Sequence, residues 1–156
     1  MIRARLVALA ALAALAALGL AGCAQALVVD AAPYAADPDC ARIMLAIPDT
    51  VGGLGVRGTS SQATTAWGED FPIIARCGVE LPGPTAESCT VVDIPAANIG
   101  WLIAEDGEDW VATTFGHSPA MELRVPKARA DQAVGDVLAE VSSAAALAPI
   151  NGLECR

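Results

Sequence analysis

Lysine, histidine and tyrosine each occur once in this chain of 156 residues, and phenylalanine occurs twice. With one imidazole there is no His-rich metal site to consider. None of the five cysteines falls in a Cys-x-x-Cys pair, so zinc-ribbon spacings and thioredoxin-type redox motifs are absent. Basic residues are scarce, 9 against 18 acidic ones, and the formal net charge is −9. A chain this acidic, with no basic stripe and no aromatic residues interleaved with arginine, is repelled by nucleic acid and by anionic headgroups. Internal repeats and the G-x-S-x-G nucleophile elbow are missing as well.

The hydrophobic residues are concentrated at the start. Arg3 and Arg5 precede an unbroken Ala/Leu/Val run from Leu6 to Leu18, followed by Leu20-Ala21-Gly22-Cys23. A basic n-region, an apolar h-region and small residues before a cut describe an export signal. The Cys placed directly after Leu-Ala-Gly resembles the lipobox of bacterial lipoproteins. That resemblance implies a diacylglycerol on the Cys23 sulfur, removal of residues 1–22, and a membrane-attached protein on the extracytoplasmic face. The competing interpretation is an uncleaved membrane helix, because Gln25 is the only strongly polar side chain between Leu6 and Val29. Both place the remaining chain on the same side of the membrane. Cleavage would remove two arginines and take the formal net charge from −9 to −11. The domain would then be held at the membrane by its lipid alone.

With Cys23 assigned to lipid, Cys40, Cys77, Cys89 and Cys155 remain, an even set that reads as two disulfides in an exported chain. Asp37-Pro38 is a helix start, and Pro48 ends that helix. Cys40, Ile43, Met44 and Ile47 fall on one apolar face. Ile73 to Val79 reads as a strand with Ile73, Ala75, Cys77 and Val79 on one side and Arg76 on the other. Cys40 and Cys77 therefore both point to a core and are expected to pair. Cys89 begins a strand on the face of Asp93, away from Val92 and Ile94, where it can meet Cys155 in the C-terminal tail.

Residues 23–36 read as the lipidated Cys and an Ala-rich tether, and residues 37–156 as one disulfide-stabilised domain. Val51 to Gly58 reads as a Gly-rich turn region and Thr59 to Thr65 as a polar loop. Short strands are expected at Thr90–Ile94, Trp101–Ala104, Trp110–Phe115 and around Met121, Leu123 and Val125, the middle two joined as a hairpin. The last helix carries an apolar stripe of Ala130, Val134, Val137, Leu138, Val141 and Ala145, with Asp131, Gln132, Asp136 and Glu140 opposite. The expected fold class is α+β: a two-layer sandwich, with an antiparallel sheet of four to five strands and two helices on one face.

Chemistry-bearing patterns are sparse. Gly53-Leu54-Gly55-Val56-Arg57-Gly58 matches G-x-G-x-x-G, but it follows a helix and precedes a Thr/Ser loop, so no cofactor is expected. Glu105, Asp106, Glu108 and Asp109 are the weak candidates for a cation, without EF-hand spacing. His117 with Ser60, Ser61 or Ser118 forms no recognised catalytic arrangement and reads as a turn residue. Trp101 and Trp110 flank the hairpin and are expected to pack across strands. Trp67, in a loop before a strand, and Arg76, on that strand's polar side, make up the candidate binding surface.

The run Ala66-Trp67-Gly68-Glu69-Asp70-Phe71-Pro72-Ile73-Ile74-Ala75-Arg76-Cys77-Gly78-Val79 resembles the central signature of an actinobacterial family, domain of unknown function 3515. The resemblance runs from about Pro33 to Leu147, and Cys89 and Cys155 are not part of its pattern. It implies a small exported envelope protein and transfers no catalytic residue. The expected function is a non-enzymatic, lipid-anchored envelope protein that binds a protein or cell-wall partner. A small-ligand-binding lipoprotein and a wall hydrolase are the rivals.

Overall fold

The computed structural model describes residues 25–95, 97–129 and 133–155. Helix α1 spans Pro38–Ala46. Its start is set as the sequence predicts: the Asp37 side chain accepts from the Asp39 amide at 2.8 Å, and Pro38 fills the first turn, where no amide donor is needed. Eight strands follow: β1 Thr50–Val51, β2 Leu54–Arg57, β3 Thr64–Trp67, β4 Ile73–Val79, β5 Cys89–Ile94, β6 Ala97–Asp106, β7 Asp109–Phe115 and β8 Ala120–Pro126. Helix α2, Val134–Ala145, comes last. The predicted start of that helix, Ala130 to Gln132, lies outside the described residues.

All strand pairings are antiparallel, in the order β1-β2-β3-β4-β8-β7-β6-β5. Two four-stranded meanders thus join where β4 meets β8. The expected two-layer sandwich of four to five strands under two helices is overturned: the sheet has eight strands, and the fold is mostly β. The added strands are β1, β2 and β3, in the stretch read as turn and loop. Gly52 and Gly53 both have positive φ, 57° and 71°, which is the geometry of a two-residue hairpin turn. That turn converts the glycine-rich segment into paired strands, with Val51 opposite Leu54.

Nor do the helices form a layer over a flat sheet. Helix α2 touches β1 and β5, the two edge strands, and also the central β8. Edges of a flat sheet of eight strands would lie about 33 Å apart, whereas a helix of 12 residues is only about 18 Å long. The sheet therefore curls around α2. The turn between β1 and β2 is tied to this helix by the Gly52 amide, which donates to Glu140 Oε2 at 2.9 Å.

Inside the curl lies one apolar core. It draws Cys40 and Ile43 from α1, Val137, Leu138 and Val141 from α2, and Trp67, Ile73, Trp101 and Leu123 from the sheet. Cys40 and Cys77 form a disulfide within it, with Cα atoms 5.5 Å apart. Cys89 and Cys155 form the second, also at 5.5 Å. Trp101 Nε1 donates to Ser142 Oγ at 3.1 Å, and that hydroxyl donates onward to the Leu138 carbonyl at 2.7 Å, all of it buried. Ser142→Ala keeps the helix and removes the only acceptor shown for the indole N–H. It is expected to cost about 1–3 kcal/mol, the cost of stranding a buried donor. Urea unfolding measures this; an unchanged midpoint and slope would refute the role given to Ser142.

Candidate functional site

Strand direction defines two ends of the sheet. At one end lie the β3–β4 loop with Phe71 and the β6–β7 turn at Gly107; at the other lie Val79, Phe115 to Ala120, and the tail that follows α2. The tail is fastened at the second end. The Ser118 amide donates to the Pro149 carbonyl, the Asn151 amide donates to the Gly116 carbonyl, each at 2.9 Å, and His117 and Ile150 form an isolated bridge. Gly100 and Gly116 make the close approach feasible: a Cβ on Gly100 would collide with Cys155 Sγ, and one on Gly116 with the Leu153 carbonyl. Gly100 alternates with the core residues Ile99 and Trp101, so the tail crosses the face of the sheet opposite the core.

Two clefts flank this tail. One, of about 560 Å³, lies between the tail and the loop that leads into β5, lined by Thr85, Glu87, Phe115 and Glu154 among others. The second, of about 470 Å³, runs over β5 and β6 and includes Val91, Asn98, His117 and Ile150. Their walls mix backbone, apolar and amide groups, a lining suited to binding a chain or a small polar ligand. His117 is buried, with Nδ1 3.3 Å from the Phe115 carbonyl. It serves the turn, as the sequence reading expects.

Ser60 and Ser61 are engaged elsewhere: their hydroxyls donate to the Val29 carbonyl at 3.2 and 2.6 Å. The G-x-G-x-x-G run begins in the β1–β2 turn and continues along strand β2, so no helix N-terminus follows to receive a phosphate.

Trp67 corrects the expected binding surface. It is 0 % exposed, ends strand β3, and donates from Nε1 to the Pro48 carbonyl at 2.9 Å. It is a core residue because β3, unrecognised as a strand, turns it inward. Arg76 stays on the outer side, but its Nε and Nη2 both donate to Glu122 Oε1, at 3.0 and 2.7 Å, across the β4–β8 pair. Trp101 is buried, and Trp110 is half-buried with Lys127 Nζ 5.3 Å from its ring centre.

Three of the four hairpin acids are likewise occupied. Glu105 accepts from Lys127 Nζ at 2.7 Å, while Asp106 and Asp109 accept from Arg124 at 2.6 and 3.2 Å. The guanidinium of Arg124 is held above its ordinary value, first by the hydrogen bond it donates to Asp106, so it remains charged and offsets part of the charge of the two carboxylates. No group of three or more His, Cys, Asp or Glu placed to hold a metal occurs among the described residues. Cys23, the proposed lipid site, lies outside the described residues.

A family model described as "Protein of unknown function (DUF3515)" matches residues 3–150. The chain belongs to the DUF3515 family. No curated protein and no solved structure matches it. Cys155 lies beyond the DUF3515 match, so the disulfide that pins the tail rests on the structure of this chain.

Sequence reasoning missed the tail clefts. Glycine at positions 100 and 116 was the available signal, since each marks a close backbone approach. The two disulfides differ in access: Cys40 and Cys77 are buried, whereas Cys89 and Cys155 are half-buried. A dithiol reductant applied to the native protein should therefore open Cys89–Cys155 first. Alkylation followed by peptide mass mapping checks the order; earlier labelling of Cys40 and Cys77 would contradict it. Calcium at millimolar levels should leave the melting temperature unchanged, because Arg124 and Lys127 already occupy three of the four hairpin carboxylates; a rise in Tm would reinstate them as a cation site.

Proposed function

We propose that this DUF3515 protein is attached to the outer face of the membrane through lipid on Cys23, and that its domain binds a protein or wall component there without turning it over. The observation that carries this reading is the pair of disulfides. Such bridges persist in oxidising compartments outside the cytoplasm. They support export, which the Arg3–Cys23 leader independently suggests. Among the described residues no helix is long and apolar enough to cross a membrane.

The absence of turnover rests on how the polar side chains are spent. His117 faces a backbone carbonyl, Ser60 and Ser61 hold the N-terminal segment, and Glu105, Asp106 and Asp109 face cations. What remains available is the pair of clefts beside the tail. Their volumes, about 560 and 470 Å³, fall in the range of small-molecule sites, and this supports the small-ligand alternative.

Cys23→Ala removes the acyl acceptor. It is expected to move the protein out of the membrane fraction or to leave an uncleaved precursor. Intact mass of the native protein should show loss of residues 1–22 and a gain equal to the lipid. An unmodified Cys23 in the native protein would sink the lipid anchor.

A further inference from the structure

The segment read as a tether is docked against the domain almost from its first described residue. The Leu27 amide donates to the Gly58 carbonyl at 2.9 Å, and the Ser60 amide donates to the Leu27 carbonyl at 2.9 Å. The Val29 amide donates to Ser60 Oγ at 3.0 Å. Farther on, the Tyr34 amide donates to the Gly78 carbonyl at 2.8 Å, and Ala32 and Ala35 pack with Val79 and Ala120. A segment fixed in this way cannot act as a swivel.

Its beginning is located by a single guanidinium. Arg57 donates from Nη2 to the Gln25 carbonyl at 3.3 Å and from Nη1 to the Glu69 carbonyl, also at 3.3 Å. The chain therefore reaches the domain beside the β3–β4 loop. Only Ala24 separates Gln25 from Cys23, and two residue steps reach about 7 Å at most. An exposed apolar side chain stands on that loop: Phe71 is 62 % exposed. Phe71 has φ +49°, an unusual conformation for a bulky side chain. Arg129 holds it in place by donating to the Phe71 and Asp70 carbonyls at 2.6 and 2.5 Å. A Phe ring fixed outward on a short rigid loop suits the boundary between headgroups and acyl chains, where apolar side chains such as Phe bury.

We infer that the domain rests on the bilayer by this end, with the Phe71 loop in the lipid interface and the tail clefts directed away. The inference rests on the proposed attachment at Cys23, or on a retained leader helix, which delivers the chain to the same point. Charge does not drive the contact: Arg57 pairs with Glu69, Arg124 with Asp106 and Asp109, and Lys127 with Glu105, and this end carries no excess of positive charge. Zwitterionic lipid is therefore sufficient. Strand β4 has seven residues, so the opposite end, with His117 and Ile150, stands about 20 Å farther from the lipid.

The test uses the full chain purified from membranes with its anchor and reconstituted into phosphatidylcholine vesicles with brominated acyl chains. Two variants report position: Phe71→Trp, and Ile150→Trp at a site 77 % exposed at the far end. Relative to the unsubstituted protein, the emission added at position 71 should fall roughly twofold, because interfacial groups lie about 5–10 Å into the headgroup and acyl boundary, within reach of bromine. The emission added at position 150 should not change. Equal quenching at both positions, quenching at neither, or quenching only at 150, in protein that floats with the vesicles, overturns the orientation and leaves the attachment intact. Failure to float overturns the attachment and the orientation with it. Each variant is compared with the parent by thermal melt, and should position 71 reject Trp, Asp70→Trp, at an exposed position of the same loop, reports the same surface.

Discussion

The placement of α2 between the two edges of the sheet is the constraint on which the rest of this fold depends. Edge strands expose unpaired backbone and invite association with other chains. Here one helix touches both β1 and β5, and the curl this imposes brings residues from every part of the chain into a single core. Two polar contacts fix its position: Trp101 with Ser142 inside the core, and Gly52 with Glu140 at the rim. Burial supplies most of the favourable energy, while these directional bonds select one rotation of the helix among several that would bury similar area.

The disulfides act at different levels of this arrangement. Cys40–Cys77 joins α1 to β4 and closes a loop with a sequence separation of 37, inside the core. Cys89–Cys155 spans a separation of 66 on the opposite face and determines where the tail lies. By the chain-entropy account each contributes about 4 kcal/mol. Only the second shapes a surface, since the clefts are the spaces left on either side of a pinned tail. Structure at the candidate site is thus set by a covalent bond between a strand and a residue that follows the last helix.

Legibility in the sequence followed periodicity. Strands β4 and β8 alternate apolar with polar residues and were readable, as was the β6–β7 hairpin with Gly107 at its turn. The same alternation placed Cys77 inward and Cys89 outward, and so led to both observed pairings. Strands β1, β2 and β3 were not readable: they are two to four residues long and rich in Gly and Thr, and their stability comes from neighbours rather than from local preference. The error over Trp67 followed from this, because without β3 nothing assigns its side chain a face. The hairpin acids posed a different problem. Their partners, Arg124 and Lys127, are close only once β7 pairs with β8, and no local spacing reports that. The clefts depend on the tail's path, which is a tertiary outcome, and only Gly100 and Gly116 hinted at it.

Acidity acquires a spatial meaning in this fold. Net charge alone suggested a domain repelled from membranes and restrained by its lipid. The docked N-terminal segment alters that argument, because a chain fixed at Leu27 and Val29 would transmit orientation along with the proposed attachment. At the end where this segment starts, Arg57, Arg124 and Lys127 are ion-paired with Glu69, Asp106, Asp109 and Glu105, which reduces the local repulsion. Strands about 20 Å long then separate that end from the tail, where Glu154 borders both clefts. That distance exceeds a Debye length of about 8 Å at physiological ionic strength, so in the proposed orientation the clefts would present their charge almost independently of the membrane. A rigid antiparallel sheet is what permits this division. A flexible linker of the same length would have averaged the two ends and left neither with a defined neighbour.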